Sequence, residues 1–179
     1  MSDVAHLIER LERLEACESI RQLKARYAAL ADDKYTADYR PQEPARLKAL
    51  AVAQAACFTT DAIWHGAEFG GDRVGREALA HWFEHSPWCY AAHYYVGADI
   101  AVDGQRASAD WRLWQLALRA DNGEAVLLIA RTEESYRCSD TDGWLIDSMA
   151  FRDVQVTALG NGSLPLAPGL EALRALRTH

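Results

Sequence analysis

The chain has 179 residues, half of them hydrophobic and a quarter charged, with 26 acidic residues against 19 Lys and Arg for a net charge of −7. That length suits one domain with a substantial core, and the negative field argues against a phosphate-backbone partner. No apolar run is long enough to span a membrane, and "MSDVAHLIERLERLE" carries charges where a signal peptide needs an apolar stretch, so a cytosolic protein is expected.

Residues 4 to 31 carry Leu7, Leu11, Leu14, Cys17, Ile20, Leu23, Tyr27 and Leu30 at steps of three and four. This spacing predicts an amphipathic helix lying on a sheet. Asp32 and Asp33 close it, at a helix C-terminus where the macrodipole disfavours negative charge. Asp32 follows Ile20 by twelve residues, which places it near the face of the stripe. "KYTADYRPQEP" is a loop marked by Pro41 and Pro44, and a second helix runs from about 44 to 57. "TTDAIWHGAEFGGDRVG" reads as a strand entering a glycine-rich turn. "REALAHWFEHS" is a third helix, stopped by Pro87.

From residue 89 the texture changes to strands. "AHYYVGADIAVDG", "RASADWRLWQLALRA", "EAVLLIARTEESYRCS" and "GWLIDSMAFRDVQVTA" are separated by the turn signals "DGQ", "DNG" and "DTDG". The expected class is α+β, one curved mixed or antiparallel sheet covered by three helices. The domain is expected to span 1–160, with a C-terminal tail over 161–179 whose "LEALRALRTH" reads as a loose helix.

Among the histidines, His6 should face solvent, and His81 and His85 stand one helical turn apart without a third ligand, so no metal is expected. His65 alternates with Trp64, so only one of them faces inward. His93 lies in a strand covered by helices, and a buried imidazole needs a partner, either a carbonyl or a carboxylate. Asp32 is the leading carboxylate. Trp64, Trp82, Trp88 and Trp111, with Tyr27, Tyr90, Tyr94 and Tyr95, offer an apolar lining with phenol donors. GxSxG, Walker A and GxGxxG are absent, and Cys17, Cys57, Cys89 and Cys138 share no spacing pattern. What remains is acid–base chemistry by side chains.

"IRQLKARYAALADDK", "FTTDAIWHGAEFGGDRVGREALAHWF", "AHYYVGADIAVDGQRASADW" and "YRCSDTDGWLIDSMAF" resemble the SnoaL-like branch of the NTF2-like superfamily over residues 10 to 155. That branch includes scytalone dehydratase, hexachlorocyclohexane dehydrochlorinase, bile acid 7α-dehydratase and polyketide cyclases. The resemblance implies a cone-shaped fold and a His–Asp pair, and it lays that pair on His93 and Asp32. It sets Tyr27 where the dehydrochlorinase has a catalytic lysine, and Met149 where it has an arginine, with Arg152 three residues further on. The segment between Asp33 and Phe58 is longer than usual, as for a lid or a subunit contact.

The expectation is a cofactor-independent lyase on a hydroxylated aromatic or polycyclic small molecule, eliminating water or an aldehyde. His93, Asp32 and Tyr27 are its candidate catalytic residues. Tyr94, Tyr95, His65, Trp64, Trp88, Trp111 and Met149 are its candidate substrate contacts. An isomerase or cyclase on the same site is the nearer alternative, and a structural small subunit of an aromatic-ring dioxygenase the farther one. Family habit implies a trimer or dimer built on the open sheet face.

Overall fold

The computed structural model describes residues 3–66 and 69–159, so the tail expected over 161–179 lies outside the described residues. Three helices and six strands run in the order α1 (Asp3–Asp32), α2 (Pro44–Ala55), β1 (Phe58–His65), β2 (Arg73–Val74), α3 (Gly75–Glu84), β3 (Trp88–Asp103), β4 (Arg106–Arg119), β5 (Ala125–Ser139) and β6 (Gly143–Ala158). Residues β3 to β6 form the antiparallel meander that the three turn signals predict. Gly104, Gly123 and Gly143 occupy positive φ in those turns, a conformation that favours glycine. β1 joins β6 in parallel and β2 pairs antiparallel with β1, which gives a mixed sheet of order β2-β1-β6-β5-β4-β3.

The period-two pattern of β4 shows why the sheet has one dry face. Trp111, Leu113, Gln115 and Ala117 are buried, while Arg112 and Trp114 face outward. Gly97, at φ 63°, sits in the irregularity between Val96 and Asp99 that interrupts the β3–β4 register. The core under α1 and α3 gathers Ile20, Leu23, Tyr27, Phe58, Leu79, Phe83, Leu113, Leu128, Ile146 and Met149.

The first helix departs from expectation. Leu7, Leu11 and Leu14 are 59%, 55% and 66% exposed, whereas Ile20, Leu23, Tyr27 and Ala31 are buried. Thirty residues make a rod about 45 Å long, and only its second half lies against the sheet. The periodic stripe is continuous, but its first turns have no described surface to cover them.

Candidate active site

The end of α1 runs beside β3, an edge strand of the sheet. Here the two residues singled out by sequence meet. The Nδ1–H of His93 donates to Asp32 Oδ1 at 2.7 Å, and the His93 backbone N–H donates to the same carboxylate at 3.0 and 3.3 Å. Because an ionised carboxylate only accepts, the ring must carry its proton on Nδ1. That leaves the Nε2 lone pair for the cavity that His93 helps to wall. The His93 side chain is 15% exposed and that of Asp32 37%, so the imidazole is largely sheltered and the carboxylate touches water.

A cavity of about 60 Å³, open to solvent on one side, lies between α1, α2, α3 and the inner sheet face. Its aromatic walls are Tyr27, Tyr35, Trp64, Phe69, Trp82, Phe83, Trp88, Tyr95 and Phe151. The polar side chains among them are Lys34, Gln54, Ser86, His93 and Gln115. Trp64 packs against Phe69, Trp82 and Phe151 with ring centroids 5.4 to 5.9 Å apart. Such edge and tilted contacts hold the rings rigid. A wider outer groove shares Phe69, Trp82, Pro87 and Trp88 with this cavity.

Of the residues expected at the site, Tyr27, Trp64, Trp88, His93 and Tyr95 line this cavity, and Asp32 stands behind His93. Burial lifts the Tyr27 phenol above its ordinary range, and Tyr95 likewise, so both stay protonated donors. The structure places the others elsewhere. Tyr94 is 61% exposed on the outer sheet face, because successive residues of β3 alternate sides. His65 also faces out, with Nδ1 3.0 Å from Asp72, and its neighbour Trp64 takes the inward position. Met149 is fully buried in the core. Trp111 is buried too, donating from Nε1 to the Tyr136 hydroxyl at 3.0 Å. His81 and His85 lie with ring centroids 4.3 Å apart and planes tilted by 38°, and no cluster of three metal-binding side chains occurs among the described residues.

Two lysines escaped the sequence reading. Lys34 is buried in the cavity wall and donates to the Phe83 carbonyl at 3.0 Å, at the last turn of α3. Burial pulls its amine from 10.5 down to about 8, against the opposing pull of Asp32. Lys24 is sealed deeper, with Nζ 2.5 Å from Glu134 Oε1 and 3.6 Å from the centroid of the Tyr95 ring. Thr132 donates to the same oxygen at 2.7 Å, and the Tyr136 hydroxyl donates to the other. Burial pushes the Lys24 amine down, and Glu134 resists that push. Gln54 and Gln115 complete the set of buried polar side chains at the cavity.

The SnoaL-like domain family matches residues 48–150. No curated protein matches the chain. Among solved structures, the chain is similar to a type 3 hexachlorocyclohexane dehydrochlorinase from Novosphingobium barchaimii, at 17% identity and TM-score 0.69 over 88% of this chain and 99% of that one. An NTF2-like protein with a cystatin-like fold from Novosphingobium aromaticivorans shares 23% identity and TM-score 0.64 over 91% and 94%. A protein from the same organism described as a candidate scytalone dehydratase shares 14% and TM-score 0.65 over 84% and 92%. At these identities the likeness carries the fold. The sequence-based assignment of branch and fold class agrees with it.

Proposed function

This chain belongs to the SnoaL-like domain family, and from that premise we propose that it is a cofactor-independent lyase acting on a hydroxylated aromatic or polycyclic small molecule. The observation that carries this reading is the 2.7 Å His93–Asp32 pair set into the wall of an aromatic cavity. A histidine with a fixed tautomer, a carboxylate to stabilise its imidazolium and a sheltered apolar slot is the equipment of general base catalysis.

In the proposed reaction, His93 Nε2 removes a proton from carbon or from a substrate hydroxyl, and Asp32 steadies the charge that forms on the ring. If the proton comes from carbon, its electron pair makes the double bond and the neighbouring hydroxyl leaves, reprotonated by the imidazolium as water. If it comes from oxygen, a carbonyl forms, a carbon–carbon bond breaks and the imidazolium protonates the carbanion as an aldehyde departs. Tyr27 is kept protonated by burial and would donate to the oxygen that gains charge, while Tyr95 donates to Tyr27. Lys34, in the wall of the same cavity, would supply a positive charge there. Its position supports elimination of a charged oxygen despite the missing arginine.

The fold that surrounds this site is read as one domain over residues 1–160 with 161–179 as a tail. A homodimer or homotrimer is proposed on the outer sheet face, where Tyr94 and Trp114 stand opposite one another at 61% and 48% exposure beside the half-exposed Val96. No described helix is long and apolar enough to cross a membrane, which is compatible with the expected cytosolic location.

The test is mass spectrometry of hydroxylated bicyclic and diaryl compounds incubated with wild type and with a folded His93→Ala variant. A product lighter by one water or one aldehyde, absent with the variant, is the expected result. A product of unchanged mass would replace the lyase by an isomerase on the same pair. Turnover that survives His93→Ala would remove the histidine base.

A further inference from the structure

Three buried polar atoms facing this cavity have no hydrogen-bond partner among the described residues: Gln54 Oε1, Trp64 Nε1 and Gln115 Nε2. They come from α2, β1 and β4, and their residues are only 2%, 4% and 4% exposed. A buried polar group without a partner is costly and rare in folded proteins. Three converging from separate elements on one space make a pattern rather than scattered defects. Among the described residues the only other such atom, Arg137 Nε, belongs to a residue paired with Asp61 and Asp147.

Their chemistry is not uniform. Gln54 offers an acceptor, since its amide group already engages the Tyr27 phenol. Trp64 and Gln115 offer donors. Gln115 also has a fixed relation to the base: in the β3–β4 register it stands directly opposite His93, on the same sheet face. Cross-strand side chains so placed lie about 5 Å apart at Cβ.

Resting on the lyase reading above, we propose that Gln54, Trp64 and Gln115 select an aromatic hydroxyketone. Its carbonyl oxygen accepts from Gln115 and Trp64, and its hydroxyl donates to Gln54. Because Gln115 neighbours His93, the carbonyl it holds lies next to the carbon whose proton the base takes. The charge that develops on that oxygen as the proton leaves is met by donors already in place. A hydrocarbon of the same shape would strand all three protein groups, so discrimination comes from the oxygens and not from the aromatic walls.

The test measures dissociation constants in the His93→Ala background for three probes of one skeleton, β-hydroxypropiophenone, propiophenone and propylbenzene. These carry both oxygens, the carbonyl alone, and neither. Each oxygen is expected to tighten binding about tenfold. Gln115→Met or Trp64→Phe should shrink the gain from the carbonyl and leave the gain from the hydroxyl. Gln54→Met should abolish the hydroxyl gain alone. Propylbenzene should bind the parent and the two glutamine variants alike, which shows that the cavity is intact. Equal affinities for the three probes, or variants that weaken all three together, would overturn the proposal. The readout contains no catalysis, so selective binding without any elimination by wild type would remove only the lyase reading. Elimination with indifferent binding would remove only the recognition set.

Discussion

Replacing Lys34 by methionine should make the protein more stable near neutral pH and much less active. Lys34 is 4% exposed, and its amine titrates near 8 in place of 10.5. Its folded value is thus depressed. Below about 8 both folded and unfolded chains hold the proton, and the whole cost of burying the charge is present. Between about 8 and 10.5 the unfolded chain keeps the proton that the folded chain has released, so wild-type stability rises with pH. At about 1.4 kcal/mol per pH unit the cost at pH 7 is about 3 kcal/mol. Methionine removes that cost and loses the hydrogen bond to the Phe83 carbonyl, about 1 kcal/mol. The variant should therefore gain about 2 kcal/mol at pH 7, and the gain should vanish by about pH 10. Tyrosines with raised values, such as Tyr35 near 12, act alike in both proteins and cancel in the difference. Urea unfolding followed by tryptophan fluorescence at several pH values measures that difference directly. A difference constant with pH, or a variant less stable at pH 7, would refute the reasoning.

Other outcomes follow from the same structure. Lys24→Met strands a buried Glu134 that keeps Thr132 and Tyr136 as donors, so the loss should fall at about 3 kcal/mol, the lower end for a broken buried pair. Adding Glu134→Gln should restore most of it in the same unfolding assay. Asp32→Asn should lower kcat by about 10²–10⁴ with little change in KM, since it releases the histidine tautomer while one oxygen stays to accept the strand N–H. Tyr94→Glu with Trp114→Glu should convert the proposed oligomer to monomer in light scattering, and an unchanged mass would move the interface off this sheet face.

The helices, the meander and the His–Asp pair were legible because each leaves a local mark. These are a period of three to four, turn signals between alternating strands, and a histidine where a strand would be content with valine. The mixed character of the sheet was less so, since nothing local in "TTDAIWH" says that β1 will lie parallel to β6. Lys24 and Glu134 were hidden because each reads as an ordinary surface charge; they stand 110 residues apart and only the folded chain joins them. Strand phase carries a further signal. Gln115 falls on the inward phase of "WRLWQLALR" with Trp111 and Leu113, and Glu134 falls between Thr132 and Tyr136 on the inward phase of β5. A polar residue on the dry phase of a strand marks either a network or a site. The outward turn of His65 and Tyr94 depended on strand phase, which a single residue's slip reverses.

Asp32 has a consequence beyond chemistry. β3 is an edge strand, and an edge presents bare N–H groups to any other extended chain. At His93 that vacancy is closed by the carboxylate of Asp32, reaching from the helix beside it. One side chain therefore holds the imidazole and shields the rim of the sheet against stray pairing. Variants at this position that cannot accept a hydrogen bond, Asp32→Ala among them, would lose protein to aggregation as well as rate. Under the proposed function, solubility and rate then depend on the same carboxylate.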